Sequence, residues 1–350
     1  MSGKINIVCV ILSCEEWKIF IPPHLKSDIL TKIKIKAHDS NTTSELVLED
    51  ALKALKKAMQ SQQAAKALTY AQQIIEQAPD CLPAYVTLYQ ILSFQQKFPE
   101  LEQTALHAVK HNPEHSLSYH TLSNAYRFQR KTNQALKAME KAVELEPENT
   151  PWLNSLGIMQ KELGYFEIAL EHFEQCIKQS PDFTQPYWNR SDIKAQLPSS
   201  DVEYLTQLLS IEESIETKNK VYAAYALFKH FEVIEDFDKA FNYLKLGATK
   251  QRSSFNYDHQ IELNEHSNIE KVFSKQFFSQ NKISLDKNQI DIPDDSPMFI
   301  CGMPRSGTTL TEQIISSHSE VAAGDELFEL AQATQNVLQK VKPKQAFPFL

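Results

Sequence analysis

The chain has 350 residues, enough for two domains at the usual ~100–200 residues each. Its 36 basic and 44 acidic residues give a net charge of −8, which excludes a protein whose main task is gripping nucleic acid. No stretch reaches the ~20 apolar residues of a membrane span, and the five cysteines form no Cys-x-x-Cys pair and show no zinc-like spacing to histidine, so a reducing, cytoplasmic setting without metal or structural disulfides is expected.

Taken in chain order, residues 1–43 carry no assignment. Lys4 precedes the apolar run Ile5–Leu12, and Leu12-Ser13-Cys14 is faintly similar to a lipoprotein cleavage site. The run is short, and Glu15, Glu16 and Trp17 follow at once, so export is not expected. A stray β-strand and a start codon placed too far upstream remain as alternatives.

A repeat begins near residue 44. Pro79, Pro113, Pro147 and Pro181 are spaced by 34 residues, each followed by an acid: Asp80, Glu114, Glu148 and Asp182. Small or apolar residues keep the same register, among them Ala67, Leu101, Ala135 and Ala169, then Ile74, Ala108, Ala142 and Cys176. This period with a closing proline matches the tetratricopeptide repeat, in which each unit is two antiparallel helices. Proline ends the second helix because it lacks the next N–H. Gly157, Ala135 and Ala169 are expected at buried helix crossings. A degenerate pair follows, SDVEYLTQLLSIEES and NKVYAAYALFKHFEVIEDFDKAFNYLKLG, with Gly247 as a helix stop, so the solenoid is placed at residues 44–250. Solenoids of this kind present a concave surface, and the resemblance implies a peptide or another protein as its ligand. The scattered His115, His120, His172 and His230 are read as surface or packing residues.

Residues 251–296 read as a polar linker with one helix around Asn268–Gln280. Met298-Phe299-Ile300-Cys301 then reads as a short buried strand, and Gly302-Met303-Pro304-Arg305-Ser306-Gly307-Thr308-Thr309-Leu310 follows. Residues Thr311–His318 have the pattern of an amphipathic helix burying Leu310, Ile314 and Ile315. Strand, glycine loop and helix form a phosphate cradle, in which backbone N–H groups and the positive helix end face an anion. Only seven glycines occur in the chain, yet Gly302 and Gly307 stand in the frame of a P-loop. That motif has lysine where this chain has Thr308, and Arg305 supplies the cation from inside the loop. The simpler alternatives are Thr308 as a helix cap, and Asp325 and Glu326 as acids of a helix's first turn.

The segment from Pro297 to Leu330 resembles the 5′-phosphosulfate-binding opening of sulfotransferases, in particular tyrosylprotein sulfotransferases and bacterial sulfotransferases preceded by tetratricopeptide repeats. The fold class is therefore mostly α: a tetratricopeptide-repeat α-solenoid followed by the first strand, loop and helix of a P-loop-like α/β sulfotransferase domain, residues 297–350. The resemblance implies 3′-phosphoadenosine 5′-phosphosulfate (PAPS) as sulfuryl donor and no metal. It implies that Arg305, Ser306, Gly307, Thr308 and Thr309 hold the phosphosulfate, that Arg305 also stabilises the departing charge, and that Glu326 takes the proton of an acceptor hydroxyl. Tyrosylprotein sulfotransferases carry arginine two residues after that acid; here the position is Phe328, which weakens a reading of tyrosine specificity. A second short strand is expected near Val321-Ala322 and a helix from Asp325 to about Lys340. A whole α/β domain of this type needs about 200 residues, so the domain is expected to be C-terminally truncated and the chain to have little activity alone. Two readings stand: a sulfotransferase whose repeats bind partner or acceptor, and a repeat-based scaffold with a vestigial segment.

Overall fold

The structure, a computed structural model, describes residues 32–36, 43–211, 215–280, 298–303, 305–324 and 333. They fall in two units, one within Val10–Phe255 and one within Asn256–Leu350.

The first unit opens with an antiparallel hairpin of β1 (Lys32–Lys36) and β2 (Thr43–Val47), in register from Lys32 opposite Val47 to Lys36 opposite Thr43. The KIKIK alternation puts Ile33 and Ile35 on one face, where both are buried, and leaves Lys32 and Lys34 in solvent. The helical region thus starts at Leu48, since residues 44–47 belong to a strand.

Helix pairs follow: α1 (Leu48–Gln60) with α2 (Ala64–Gln77), α3 (Leu82–Phe94) with α4 (Phe98–His111), α5 (Ser116–Phe128) with α6 (Thr132–Leu145), and α7 (Thr150–Glu162) with α8 (Phe166–Gln179). The short α9 (Gln185–Ser191), α10 (Ser199–Ser210) and the long hairpin of α11 (Thr217–Val233) and α12 (Phe237–Ser253) complete the unit.

Local chemistry sets both ends of each pair. The residues before the periodic prolines, Ala78, Asn112, Glu146 and Ser180, leave the helical region with ψ of 78°, 60°, 70° and 79°. The proline ring disfavours the α conformation in its predecessor, so each helix stops one residue short of it. Each of these residues still donates its N–H four residues back, Ala78 to Ile74 at 2.7 Å and Ser180 to Cys176 at 2.9 Å. Proline also stands in the first turn of α3, α4, α7 and α9, where no N–H is missed. The turn inside each pair repeats as well. Gln62, Gln96, Arg130 and Gly164 take the left-handed conformation at φ of 55°, 55°, 56° and 83°. The residue after each bonds back across the turn in the Schellman pattern, for example Lys97 N–H to the Leu92 carbonyl at 3.0 Å.

Burial follows the periodic positions. Ala67, Leu101, Ala135 and Ala169 are fully buried, as are Ile74, Ala142 and Cys176. Gly157 lies under the ring of Phe173; an added Cβ would sit 2.7 Å from Phe173 Cε1, so the two helices could not close on any larger residue without displacing the ring. Sequential helices pack on one another, and α1 also touches α3, α3 touches α5, and α7 touches α9. The odd-numbered helices α1 and α3, α3 and α5, α7 and α9, and α9 and α11 therefore also meet one another. Gly247 is not a helix stop. It is buried within α12, and a Cβ there would stand 2.6 Å from Tyr225 Cε1, so it serves the close approach of α11.

In the second unit the helix expected at Asn268–Gln280 is two helices, α13 (His259–Val272) and α14 (Lys275–Gln280), parted at Phe273 and Ser274. Asp258 caps α13 by accepting from the Gln260 N–H at 2.9 Å, which moves its start nine residues earlier than expected. Met298–Cys301 is not a buried strand. It has no ladder partner among the described residues, and Met298 and Phe299 are about two-thirds exposed. A strand exists through its neighbour's hydrogen bonds, so an apolar run alone does not make one. The expected strand at Val321-Ala322 is likewise absent. The loop helix α15 spans Thr308–Ser316, three residues earlier at its start than the pattern indicated. Leu310 and Ile314 are exposed rather than buried. The expected helix from Asp325 to about Lys340 lies outside the described residues.

Candidate functional site

The loop between Gly302 and α15 is compact. Ser306 donates its N–H to the Met303 carbonyl at 3.1 Å, closing a tight turn. Arg305 adopts φ 65° and Gly307 φ 93°, both left-handed, so two residues on either side of Ser306 turn the chain sharply into the helix. Gly307 is the N-cap and offers no side chain, so the first-turn N–H groups of α15 have no side-chain cap. Thr308 is therefore the first helical residue and not the cap. Thr311 holds the helix start, its N–H and hydroxyl both donating to the Gly307 carbonyl, at 2.9 and 3.0 Å.

Gly302 packs so closely against this turn that no side chain would fit on it. A Cβ on it would lie 2.6 Å from Ser306 Oγ and 2.9 Å from Thr308 Cγ2. The loop thus folds back so that two hydroxyl-bearing side chains approach bare backbone, which is the shape of an anion cradle. The exposed guanidinium of Arg305 has no ion pair among the described residues. The described residues of this loop offer an anion one guanidinium, three hydroxyls, and the N–H groups at a positive helix end. Such a set fits a phosphate or sulfate group.

Of the residues expected to form the site, Arg305, Ser306, Gly307, Thr308 and Thr309 are together in this one turn. Glu326 lies outside the described residues. The last described residue before that segment is tied down: Gly324 donates its N–H to Glu312 Oε1 of α15 at 3.1 Å. His318 closes the turn after α15 by accepting the Glu320 N–H on Nδ1 at 3.2 Å.

The repeat unit has polar and aromatic side chains of its own. His120 stacks on Trp152 with ring centroids 4.9 Å apart, and burial pushes it down to about 4. Its Nε2 meets the Asn124 amide at 3.2 Å, whereas Nδ1 finds no partner among the described residues. His172 bonds Gln160 at 2.7 Å, and His230 accepts the Leu197 N–H at 3.1 Å. These are packing roles, as expected. Burial pushes the Cys81 and Cys176 thiols up to about 11 and about 12, which leaves both inert as nucleophiles. No cluster of metal-ligating side chains is found among the described residues. No helix among them is long and apolar enough to cross a membrane. The period missed one group altogether: Lys161 of α7, Asp192 at the end of α9 and Lys229 of α11, joined by ion pairs. Their separations are not multiples of the repeat, so no register argument reaches them.

Comparison with known proteins agrees with both halves. Residues 117–149 and 153–183 match the tetratricopeptide repeat, and residues 297–347 match the sulfotransferase family. The chain thus carries segments that match the tetratricopeptide repeat, followed by a segment that matches the sulfotransferase family. It is similar to an uncharacterized protein of Aquifex aeolicus, 28% identical over 237 residues, which are 67% of this chain and 30% of that protein. It is also similar to the BBSome complex member BBS4 of Bos taurus, 33% identical over 79 residues, 23% of this chain and 15% of that one. The chain spans less than a third of the length of these relatives. Among solved structures, BtubC from P. vanneervenii has a TM-score of 0.44 at 14% identity, with 61% of this chain and 94% of that one covered. YrrB, a tetratricopeptide-repeat protein with an unusual peptide-binding site, has 0.38 at 17% identity, with 56% and 91% covered.

Proposed function

We propose that the protein is a PAPS-dependent sulfotransferase whose repeats hold a peptide or protein, partner or acceptor. The observation that carries the first half is the loop around Gly302, whose missing Cβ lets Ser306 and Thr308 fold close against the backbone beside the uncapped N–H groups at the start of α15. Arg305 would grip the 5′-phosphosulfate with two N–H groups at once, while the N–H and hydroxyl groups of Ser306, Thr308 and Thr309 and the backbone of Gly307 orient it. When bound, PAPS supplies the sulfuryl group for an acceptor hydroxyl. Fixed donors of this kind stabilise charge without reorganising at the moment of reaction. The resemblance assigns Glu326 the acceptor's proton, and Phe328 after it argues for an acceptor other than a tyrosine held in the usual manner. No residue of the loop calls for a metal.

The test is calorimetric binding of 3′-phosphoadenosine 5′-phosphate (PAP) to the 350-residue chain. Binding is expected, and Arg305→Ala should weaken it by at least tenfold, the loss of a charged hydrogen bond of about 1.5–3 kcal/mol. Unchanged affinity in the variant, or no binding by the parent, would overturn the reading.

A second reading is favoured by one observation, the exposure of Phe299, Leu310 and Ile314 around the loop. It makes the protein a repeat scaffold with a vestigial segment. It expects PAP binding, if any, without transfer of labelled sulfate from PAPS. Robust transfer by this chain would eliminate it.

A further inference from the structure

Three charged residues from α7, α9 and α11 come together: Lys161 near the end of α7, Asp192 at the C-cap of α9, and Lys229 in α11. Lys161 Nζ stands 2.7 Å from one oxygen of Asp192, and Lys229 Nζ bonds the other. Each ammonium has three donors, and Asp192 takes one from each. The three side chains are 21%, 30% and 23% exposed, so the remaining donors have access to solvent. Burial works to raise the Asp192 carboxyl, and the two lysine hydrogen bonds outweigh it and hold it below the usual carboxylate range. The group therefore stays at one net positive charge.

Aromatic surface adjoins it. Lys229 Nζ lies 4.3 Å from the centroid of Trp188, one turn before Asp192 on the same helix. Tyr225, one turn before Lys229, meets Trp188 with centroids 5.5 Å apart. The frame beneath is fixed: buried Asn189 donates to buried Asn154 at 2.9 Å, locking α9 to α7 on this side. A preorganised single positive charge beside two half-buried rings suits a monoanionic carboxylate next to an apolar side chain better than a dianionic phosphate.

We infer that Lys161, Lys229, Trp188 and Tyr225 form a docking site for an acidic polypeptide segment, with Asp192 as an internal competitor for the same lysines. The inference rests on the reading that the concave face takes a peptide, and it names the chemistry of that peptide. Asp192 holds the lysines in place when the site is empty, and a ligand carboxylate shares their free donors. Removing the Asp192 charge then leaves two cations for the ligand and strengthens binding, although the same change removes two native ion pairs.

The experiment is fluorescence anisotropy on the 350-residue chain at low salt, with the fluorescein-labelled heptapeptide GSEFESG and its counterpart GSQFQSG. The glutamate probe is expected to bind roughly tenfold tighter, the effect of one charge-assisted hydrogen bond. The double variant Lys161→Gln, Lys229→Gln should erase that preference, and Asp192→Asn should tighten the glutamate probe several-fold, with helix content checked by circular dichroism. Equal binding of both probes, or a weaker glutamate probe in Asp192→Asn, overturns the docking site and leaves peptide binding standing. No binding of either probe overturns peptide binding as well.

Discussion

Helices α8 and α15 both follow an apolar pattern of helical period, yet they end differently. α8 buries Ala169, Phe173 and Cys176, with no accessible surface left on any of them. α15 buries none of its residues, and Leu310 and Ile314 are about 60% exposed. The same contrast holds between α12, which seats Ala240 and Gly247 against α11, and α13, which buries nothing. Periodicity makes a helix and chooses its apolar face; a neighbouring element is needed to turn that face into a core. Repeats bring their own neighbour, because each unit covers the next. The loop segment is a single turn and helix, whose shape is set by glycines and turn hydrogen bonds and not by packing.

The largest test of this contrast is Phe173→Ala. It removes a fully buried ring from over Gly157 and should cost about 3–5 kcal/mol in urea unfolding of the repeat unit. A cost under 1 kcal/mol would mean that this crossing does not hold the repeats together.

Next comes pH. His120 sits at about 4 in the fold against 6.5 ordinarily, so the fold favours the neutral ring. Its contribution is complete above pH 6.5, declines as pH falls because the unfolded chain takes up the proton first, and is gone below about 4. The loss amounts to about 3 kcal/mol at 1.36 kcal/mol per unit. His120→Phe, which preserves a stack on Trp152, should flatten the stability profile between those limits. An unchanged profile would show that the ring is not desolvated.

The turns give a smaller effect. Gln96 and Arg130 hold a left-handed backbone that costs an L-residue about 1–2 kcal/mol, while Gly164 holds the equivalent turn freely. Arg130→Gly should therefore stabilise by about 0.5–1 kcal/mol net of chain entropy, and Gly164→Arg should do the reverse, both read from denaturant midpoints. The smallest effect belongs to the second unit: Ile314→Ala should change stability by no more than about 0.5 kcal/mol, as for an exposed side chain. A loss above 2 kcal/mol would show that its helix is packed and would remove the contrast.

The repeats were legible because four prolines fix four helix ends, and the residues before them respond identically. The buried alanines and Gly157 followed from the same register. Gly247 was misread because a glycine late in a helix serves equally as a stop or as a contact, and only Tyr225 across from it decides. The hairpin was missed although KIKIK alternates with period two and Asp39-Ser40-Asn41 is a turn signal, since the second strand, Thr43–Val47, has no clear alternation of its own. At the loop, Arg305 to Thr309 could be read because their roles are local. The strand before them could not, because a strand depends on what lies beside it. The Lys161–Asp192–Lys229 row escaped for a related reason: its residues meet only once three repeats are stacked.

The glutamine at the end of α2 has a consequence for the chain among other chains. Gln77 donates its side-chain amide to the Lys34 carbonyl at 2.9 Å and accepts the Lys34 N–H at 2.8 Å, so one side chain stands in for a third strand. Open strand edges recruit further strands, and that is how hairpins seed aggregation. Here the outward bonding groups of β1 at its centre are already taken by the protein itself. Gln77 is thus a guard on self-association: its loss would leave the hairpin folded on Ile33 and Ile35 and its edge exposed to the next copy.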